Sequence, residues 1–374
     1  MSQSALILFF FLFPLFAQEV QRPAEIVAQF NHAIELQQQD KFLEAANEYQ
    51  KILQRSPDYA EARANLGVVL ARLGKNEEAV SAYEAALKIA PQFTPIWLNI
   101  GILHYRSNQF EKAINAFDKF LAAQPTHLQA RQLLGLSLIE IGYNTAAIEQ
   151  LEQTLTAAPN DPAVQYGLGL ANLRTNKQTQ IFIEKLSSIP AGVAASHQLA
   201  GLTKLAKFEF ESAVSELKEA QKLNPELLRL NYSLGLCYYK LGINKDGLAA
   251  FEEEYKRSPK DFTTIYYLAL LHEAEGNVEP ARKFVDLAMA MQPNSIETIT
   301  ILGKILSRQG KNEEAAIAIE KAVTQDPKDS MKRYLLGKIY RELGRREDSN
   351  REFNEARRLK SEEAKTDREK SVKP

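Results

Sequence analysis

The stretch ANLGVVLARLGKNEEAVSAYEAALKIAP (residues 64–91) reads as an apolar run, a polar turn and a second run with an apolar stripe, and this succession returns from about residue 24 to 360. Three columns keep it in phase. Gly67, Gly101, Gly135, Gly169, Gly201, Gly235, Gly303 and Gly337 form the first, with Ala33 and Ala269 in the two remaining places. The step is 34 residues, except for 32 between Gly169 and Gly201. Twelve residues after the first column comes a small residue (Ala45, Ala79, Ala113, Ala147, Ala213, Gly247, Ala281 or Ala315), and most units close on a proline such as Pro57, Pro91 or Pro125. Ten units in register predict a stacked array built from one repeated supersecondary element.

Between the first two columns lies a turn such as LGKNEE (73–78), where Gly74, Gly142, Gly242, Gly276, Gly310 and Gly344 are placed to take the left-handed conformation that closes a helix. Each unit is therefore predicted to be two antiparallel helices. Proline stops the second, because it lacks an N–H and clashes with the preceding turn. A mid-helix glycine costs about 1 kcal/mol against alanine. Its recurrence implies a close helix–helix approach there, with the small column as the expected neighbour.

One unit carries Trp97, Ile100, Gly101, Ala113, Phe117 and Pro125 in the order and spacing of the tetratricopeptide repeat family, which the chain resembles over all ten units. The resemblance implies an all-α fold, a right-handed superhelical solenoid of antiparallel helix pairs whose first helices line a concave face. Most units depart at the tryptophan place, with Arg63, Arg131 or Ile265 there. The shortened fifth unit lacks the small column in NKQTQIFIEKLSSIP (176–190), so a kink or hinge is expected between residues 18–191, units one to five, and 192–360, units six to ten, the alternative being a local packing defect compensated by neighbours. The last helix, 346–360, offers only Phe353, Ala356 and Leu359 to a partner and is polar elsewhere, as the end of a solenoid must be. Residues 361–374 read as a charged flexible tail.

The N-terminus is of a different kind. ALILFFFLFPLFA (5–17) is an apolar run that reaches about 20 Å as a helix, short of the roughly 30 Å of a bilayer core. Ala17 and the polar QEVQRP follow, the pattern of a secretory signal peptide over residues 1–17 cleaved near Ala17. The expectation is an exported protein, periplasmic or secreted, without stable membrane insertion of the mature chain. The n-region holds no Lys or Arg and Leu15 is large, which keeps an N-terminal membrane anchor as the alternative.

Composition removes several function classes. Lys plus Arg (46) nearly balance Asp plus Glu (47), so no global field draws the chain to nucleic acid or anionic lipid, and no nucleic-acid partner is expected. A lone cysteine, Cys237, excludes an intrachain disulfide and a cysteine-rich metal site, and its apolar setting LGLCYYKL predicts a buried thiol. The five histidines are scattered, and His104 and His272, three residues after the first column, are expected to pack. HEAEG (272–276) lacks the second histidine of a zinc-protease motif. There is no phosphate-binding glycine loop and no nucleophile elbow. The chain reads as a non-enzyme with no catalytic residue, metal or cofactor.

Positions three before, one after and four after the column glycine share one side of the first helix, the side that faces the groove in the resembled family. One after it stand Val68, Ile102, Leu136, Leu170, Leu202, Leu236 and Leu270, aliphatic where that family often has asparagine. With Leu98, Tyr105, Ile139, Tyr166, Leu173, Leu205, Tyr232, Tyr239 and Tyr266 they would line an apolar groove, followed by a basic floor of Lys304, Lys338 and Arg341. Tight winding would instead bury these side chains against adjacent repeats. Large contiguous apolar patches usually mark binding sites. The expected function is a non-catalytic protein-protein interaction scaffold or assembly factor that holds a peptide segment of a partner. The alternative is an accessory subunit of an envelope secretion or polysaccharide-export machine. The sequence sets neither the partner nor the oligomeric state.

Overall fold

A computed structural model describes residues 22–371, so the expected signal peptide lies outside the described residues, as does its cleavage point. Among the described residues there is no strand, and the helices pair as the columns predict. They form two compact units. The first runs to Thr203 and includes Glu219–Leu228, and the second comprises Lys204–Lys218 and the chain from Arg229 onward. The passage between them thus lies in the sixth pair.

The first unit holds α1 (Ala24–Gln38) against α2 (Phe42–Arg55), α3 (Ala60–Arg72) against α4 (Asn76–Ile89), α5 (Pro95–Arg106) against α6 (Phe110–Ala123), α7 (Leu128–Glu140) against α8 (Asn144–Ala157), and α9 (Pro162–Arg174) against α10 (Gln180–Ser187). Helices α11 (Val193–Ala206) and α12 (Phe210–Leu223) are divided between the units. The second unit continues with α13 (Leu230–Lys240) and α14 (Asn244–Arg257), α15 (Phe262–Ala274) and α16 (Val278–Met291), α17 (Ile296–Arg308) and α18 (Asn312–Gln325), and α19 (Ser330–Glu342) and α20 (Arg346–Ser371).

The turn glycines behave as expected, with φ between 73° and 87° from Gly74 to Gly344. In the units without one, Asp40, Asn108, Asn176 and Phe208 take the left-handed conformation instead. The mid-helix column is also a contact, but its neighbour is not the small residue alone. A Cβ on Gly67 would lie 2.7 Å from the Tyr83 ring, one on Gly101 2.5 Å from Phe117, and one on Gly235 2.9 Å from Phe251. The large residue one turn beyond the small column therefore lies on the glycine, while Ala79, Ala113, Ala147, Ala281 and Ala315 are fully buried beside it. Sequence periodicity supplied the meeting point and missed which side chain fills it.

Two ends of elements differ from expectation. The fifth unit's second helix, α10, is only 8 residues long and gives way to a short 3-10 helix, Pro190–Gly192, that leads directly into α11. With α10 truncated, Leu199 of α11 and Phe182 of α10 together cover Gly169. The last helix does not end near residue 360, because α20 runs through Ser371. No Gly or Pro interrupts 346–371, and Arg358 pairs with Glu355 and Glu362 at 2.6 Å along the same face. Each such exposed pair adds only about 0.3–0.5 kcal/mol, so it is the lack of a stop signal that lets the helix continue.

Candidate functional site

The truncated α10 shapes a cleft in the first unit. Where the other units place a full second helix, the chain turns through Ile189, Pro190, Ala191 and Gly192. A Cβ on Gly192 would stand 2.6 Å from the Leu186 carbonyl oxygen, so only glycine fits this turn. The turn brings Ala191 and the start of α11, Ala194 and Ala195, against the first-helix faces of α7 and α9. Small side chains at that approach leave a cavity of about 180 Å³. A dry cavity of about 150 Å³ holds a benzene ring, so the volume matches one aromatic or branched aliphatic group.

The floor is aliphatic, with Leu133, Leu136 and Ile139 from α7 and Leu170 from α9. Two phenols stand in the wall, Tyr105 at the end of α5 and Tyr166 on α9. Tyr105 meets Phe110, also in the wall, edge to face at 5.7 Å. The far rim is the loop after α12, through Asn224, Leu227 and Leu228. Gln198, 2% exposed, donates from Nε2 to the Leu228 carbonyl at 2.8 Å and pins that rim. The near rim begins at α9, whose N-terminus is capped by Asp161 through the amides of Ala163 (2.8 Å) and Val164 (3.3 Å).

Two charges line the same cleft, Arg106 and Glu140. Burial pushes the Tyr105 and Tyr166 hydroxyls well above the ordinary phenol range, and the Glu140 carboxylate near both raises them further. Both phenols are therefore neutral hydrogen-bond donors at any physiological pH. Nothing in this set makes a nucleophile–base pair, and no group of three or more His, Cys, Asp or Glu placed to hold a metal occurs among the described residues. The cleft offers shape, apolar surface and two opposite charges, which is equipment for binding.

In the second unit the first-helix faces of α13 and α15 carry an aromatic cluster. Tyr267 is its hub, stacked on Phe251 at 5.0 Å and in contact with Tyr239 (5.3 Å) and Tyr266 (5.2 Å). Tyr232 packs on Phe251 at 5.7 Å and lies under the Arg229 guanidinium at 4.2 Å.

The profile of the tetratricopeptide repeat matches residues 30–92, 133–180, 199–262 and 302–364, and a second profile of the same repeat matches 70–136. The chain belongs to the tetratricopeptide repeat family. A relative, the TPR repeat-containing protein MJ1428 of Methanocaldococcus jannaschii, is 26% identical over 160 residues, covering 38% of this chain. The alignment spans only 27% of that protein's own length. Among solved structures, human IFIT1 bound to m7Gppp-AAAA superposes with a TM-score of 0.52 at 16% identity, over 89% of this chain and 90% of that one. MamA of Desulfovibrio magneticus RS-1, residues 41 to the end, covers 45% of this chain and 94% of its own with a TM-score of 0.42 at 20% identity. At 16% identity the likeness to IFIT1 shows the fold alone.

Within this tetratricopeptide array the nineteen side chains expected on the groove face separate into groups. Tyr105, Leu136, Ile139, Tyr166 and Leu170 meet in the cleft. Val68, Leu98 and Ile102 do not reach it. They are 3% exposed or less and lie in the continuous core of α1 to α7, where neighbouring repeats close over them. Leu173, Leu202 and Leu205 are half-buried. Tyr232, Leu236, Tyr239, Tyr266 and Leu270 are half-buried around the second-unit core. The basic floor is partly neutralised, because Glu273, itself 6% exposed, pairs with Arg308 at 3.0 Å and Lys304 at 3.8 Å. Lys338 and Arg341 remain exposed, Arg341 over the Phe353 ring at 5.9 Å.

The histidines and the cysteine pack as expected. His104 shares a hydrogen bond of 2.9 Å with Gln109, and His272 stacks on Phe284 at 5.7 Å. Burial lowers the pKa of both. Cys237 is fully buried, its thiol pushed up to about 11 by desolvation. Sequence reasoning missed Phe110 and Ala194 and Ala195, at the starts of α6 and α11, and the Leu227–Leu228 rim in the loop after α12, all outside the three columns. It also missed Tyr267, two residues before the Ala269 column place, a position outside the three read as groove-facing. Among the described residues, no helix is long and apolar enough to cross a membrane.

Proposed function

We propose that the protein is a non-catalytic interaction scaffold that holds a segment of a partner protein by inserting one of its bulky apolar side chains into the first-unit cleft. The observation that carries this reading is the cleft itself, in which five side chains of the groove-facing column meet an approach lined with alanine. The magnitudes favour modest affinity. Burying an aromatic side chain of 150–250 Å² at about 25 cal/mol/Å² contributes about 4–6 kcal/mol. Association costs about 4–15 kcal/mol, so one anchor holds a segment only with help from flanking contacts. A protein partner is favoured over nucleic acid because Lys plus Arg (46) do not exceed Asp plus Glu (47) and Glu140 places a carboxylate in the cleft, where a phosphate chain would be repelled. An exported partner is proposed from the apolar run 5–17 alone.

The test is selection of random peptides displayed on phage against the full chain, followed by binding to Ala195→Trp and Ala195→Ser. The tryptophan variant fills the cleft and the serine variant leaves it open. Selected peptides that share a bulky apolar residue and lose at least tenfold in affinity to Ala195→Trp, while Ala195→Ser binds as the parent does, support the reading. Peptides that bind both variants equally would place the interaction elsewhere.

A further inference from the structure

We infer that the cleft reads charge as well as shape, so that its occupant is a partner segment whose apolar anchor is bracketed by an acidic residue facing Arg106 and a basic residue facing Glu140, about three residues apart. This rests on the scaffold reading above and adds the chemistry of the flanks.

Arg106 and Glu140 hold the same place in consecutive repeats, five residues after Gly101 and Gly135, and both line the cleft. Neither has an ion pair or hydrogen bond through its side chain among the described residues, and each is only partly exposed. The same place in other repeats is treated differently. Arg174, five after Gly169, donates to the Ile139 carbonyl, and Arg308, five after Gly303, pairs with Glu273 of the preceding repeat at 3.0 Å. Lys240 and Glu342, at this place in two further repeats, are exposed to solvent and have no ion pair among the described residues, so what sets Arg106 and Glu140 apart is that they are partly buried and line the cleft.

An apolar occupant would strip water from these two charges, and an uncompensated charge costs several kcal/mol to desolvate. A segment that brings opposite charges recovers that cost, whereas one with two like charges meets one attraction and one repulsion. This makes the charge pair a filter on partners more than a source of affinity. The spacing follows from the helices. Packed helices lie 8–10 Å apart, and α5 packs on α7, so the two charges stand roughly 10 Å apart, which an extended peptide covers in about three residues.

The experiment measures binding of fluorescein-labelled, end-blocked tetrapeptides to the full chain by anisotropy. The probes are Glu-Trp-Ala-Lys and its reverse Lys-Ala-Trp-Glu, the like-charged Glu-Trp-Ala-Glu and Lys-Trp-Ala-Lys, and the neutral Gln-Trp-Ala-Gln. At least one mixed-charge peptide is expected to bind tenfold or more tightly than either like-charged one. Glu140→Arg should shift the preference to the doubly acidic peptide, and Arg106→Glu to the doubly basic one, with thermal unfolding unchanged in both. If all five peptides bind the parent within twofold of one another, or if the variants leave the order unmoved, the charge inference fails while the scaffold reading stands. If no tryptophan peptide binds at any accessible concentration, both fail. Should a variant unfold, Glu140→Gln and Arg106→Gln replace it, each expected to erase the penalty on one like-charged peptide.

Discussion

Replacing Gly101 by alanine separates what a helix wants from what the packed array allows. By intrinsic propensity, alanine in the middle of α5 is better than glycine by about 1 kcal/mol. In the folded protein the added Cβ would stand 2.5, 2.6 and 3.0 Å from three atoms of the Phe117 ring, and Phe117 is fully buried. A rigid ring enclosed on all sides moves only as a whole, so the upper end of the usual overpacking cost, about 3 kcal/mol, applies. Subtracting the propensity gain leaves a net loss of about 2 kcal/mol. A repeat array need not unfold in one step, so the measurement is amide hydrogen exchange over α5 and α6 by mass spectrometry. At about 1.4 kcal/mol per tenfold, the loss should speed exchange there roughly thirtyfold. Adding Phe117→Leu should recover part of it, with a coupling of at least about 1 kcal/mol between the two changes. Slower exchange in Gly101→Ala, by the roughly fivefold that propensity alone dictates, would refute the close-contact explanation of the whole glycine column.

Gly74→Ala should cost about 1–2 kcal/mol for a different reason, since no atom lies within 4 Å of its Cβ position and only the left-handed backbone, φ 77°, is strained; a loss below about 0.3 kcal/mol in urea denaturation would count against that assignment. Asp161→Ala should remove about 1 kcal/mol from the start of α9 and weaken anchor binding in the adjacent cleft, read by local hydrogen exchange and by peptide anisotropy. Glu254 is 3% exposed, and burial raises its pKa although its carboxylate accepts from the Tyr232 amide at 3.3 Å and Arg229 lies near. The native state therefore holds the proton more tightly than the unfolded chain, so this group's contribution falls as pH rises from about 4.5 through the raised native value and is level above it. Glu254→Gln should accordingly gain stability over the parent at pH 7 more than at pH 4, and an equal difference at both would show that burial does not dominate there.

The sequence by itself determined the array. Period, turn glycines and closing prolines are local signals, each tied to a backbone conformation of its own residue or its near neighbours, and they recur often enough to exclude accident. Gly74 to Gly344 therefore took the left-handed turns that their spacing requires. The burial of His272 was legible because register relative to the column assigns a face, and that of Cys237 because its neighbours in the chain are apolar. Only the tertiary structure decided which groove-facing residues meet. Val68 and Ile102 share their register with Leu136 and Leu170, yet the former two are closed over by neighbouring repeats while the latter two line a cleft. The difference comes from the missing turns of α10 and the glycine-dependent bend that follows, which set how closely the next helix approaches. That approach is a non-local quantity, fixed by side-chain volumes on several helices at once, and no single repeat encodes it. The same holds for charge: one row position holds Arg106, Glu140, Arg174 and Arg308, and only the packing around each decides which are engaged within the fold and which face an occupant.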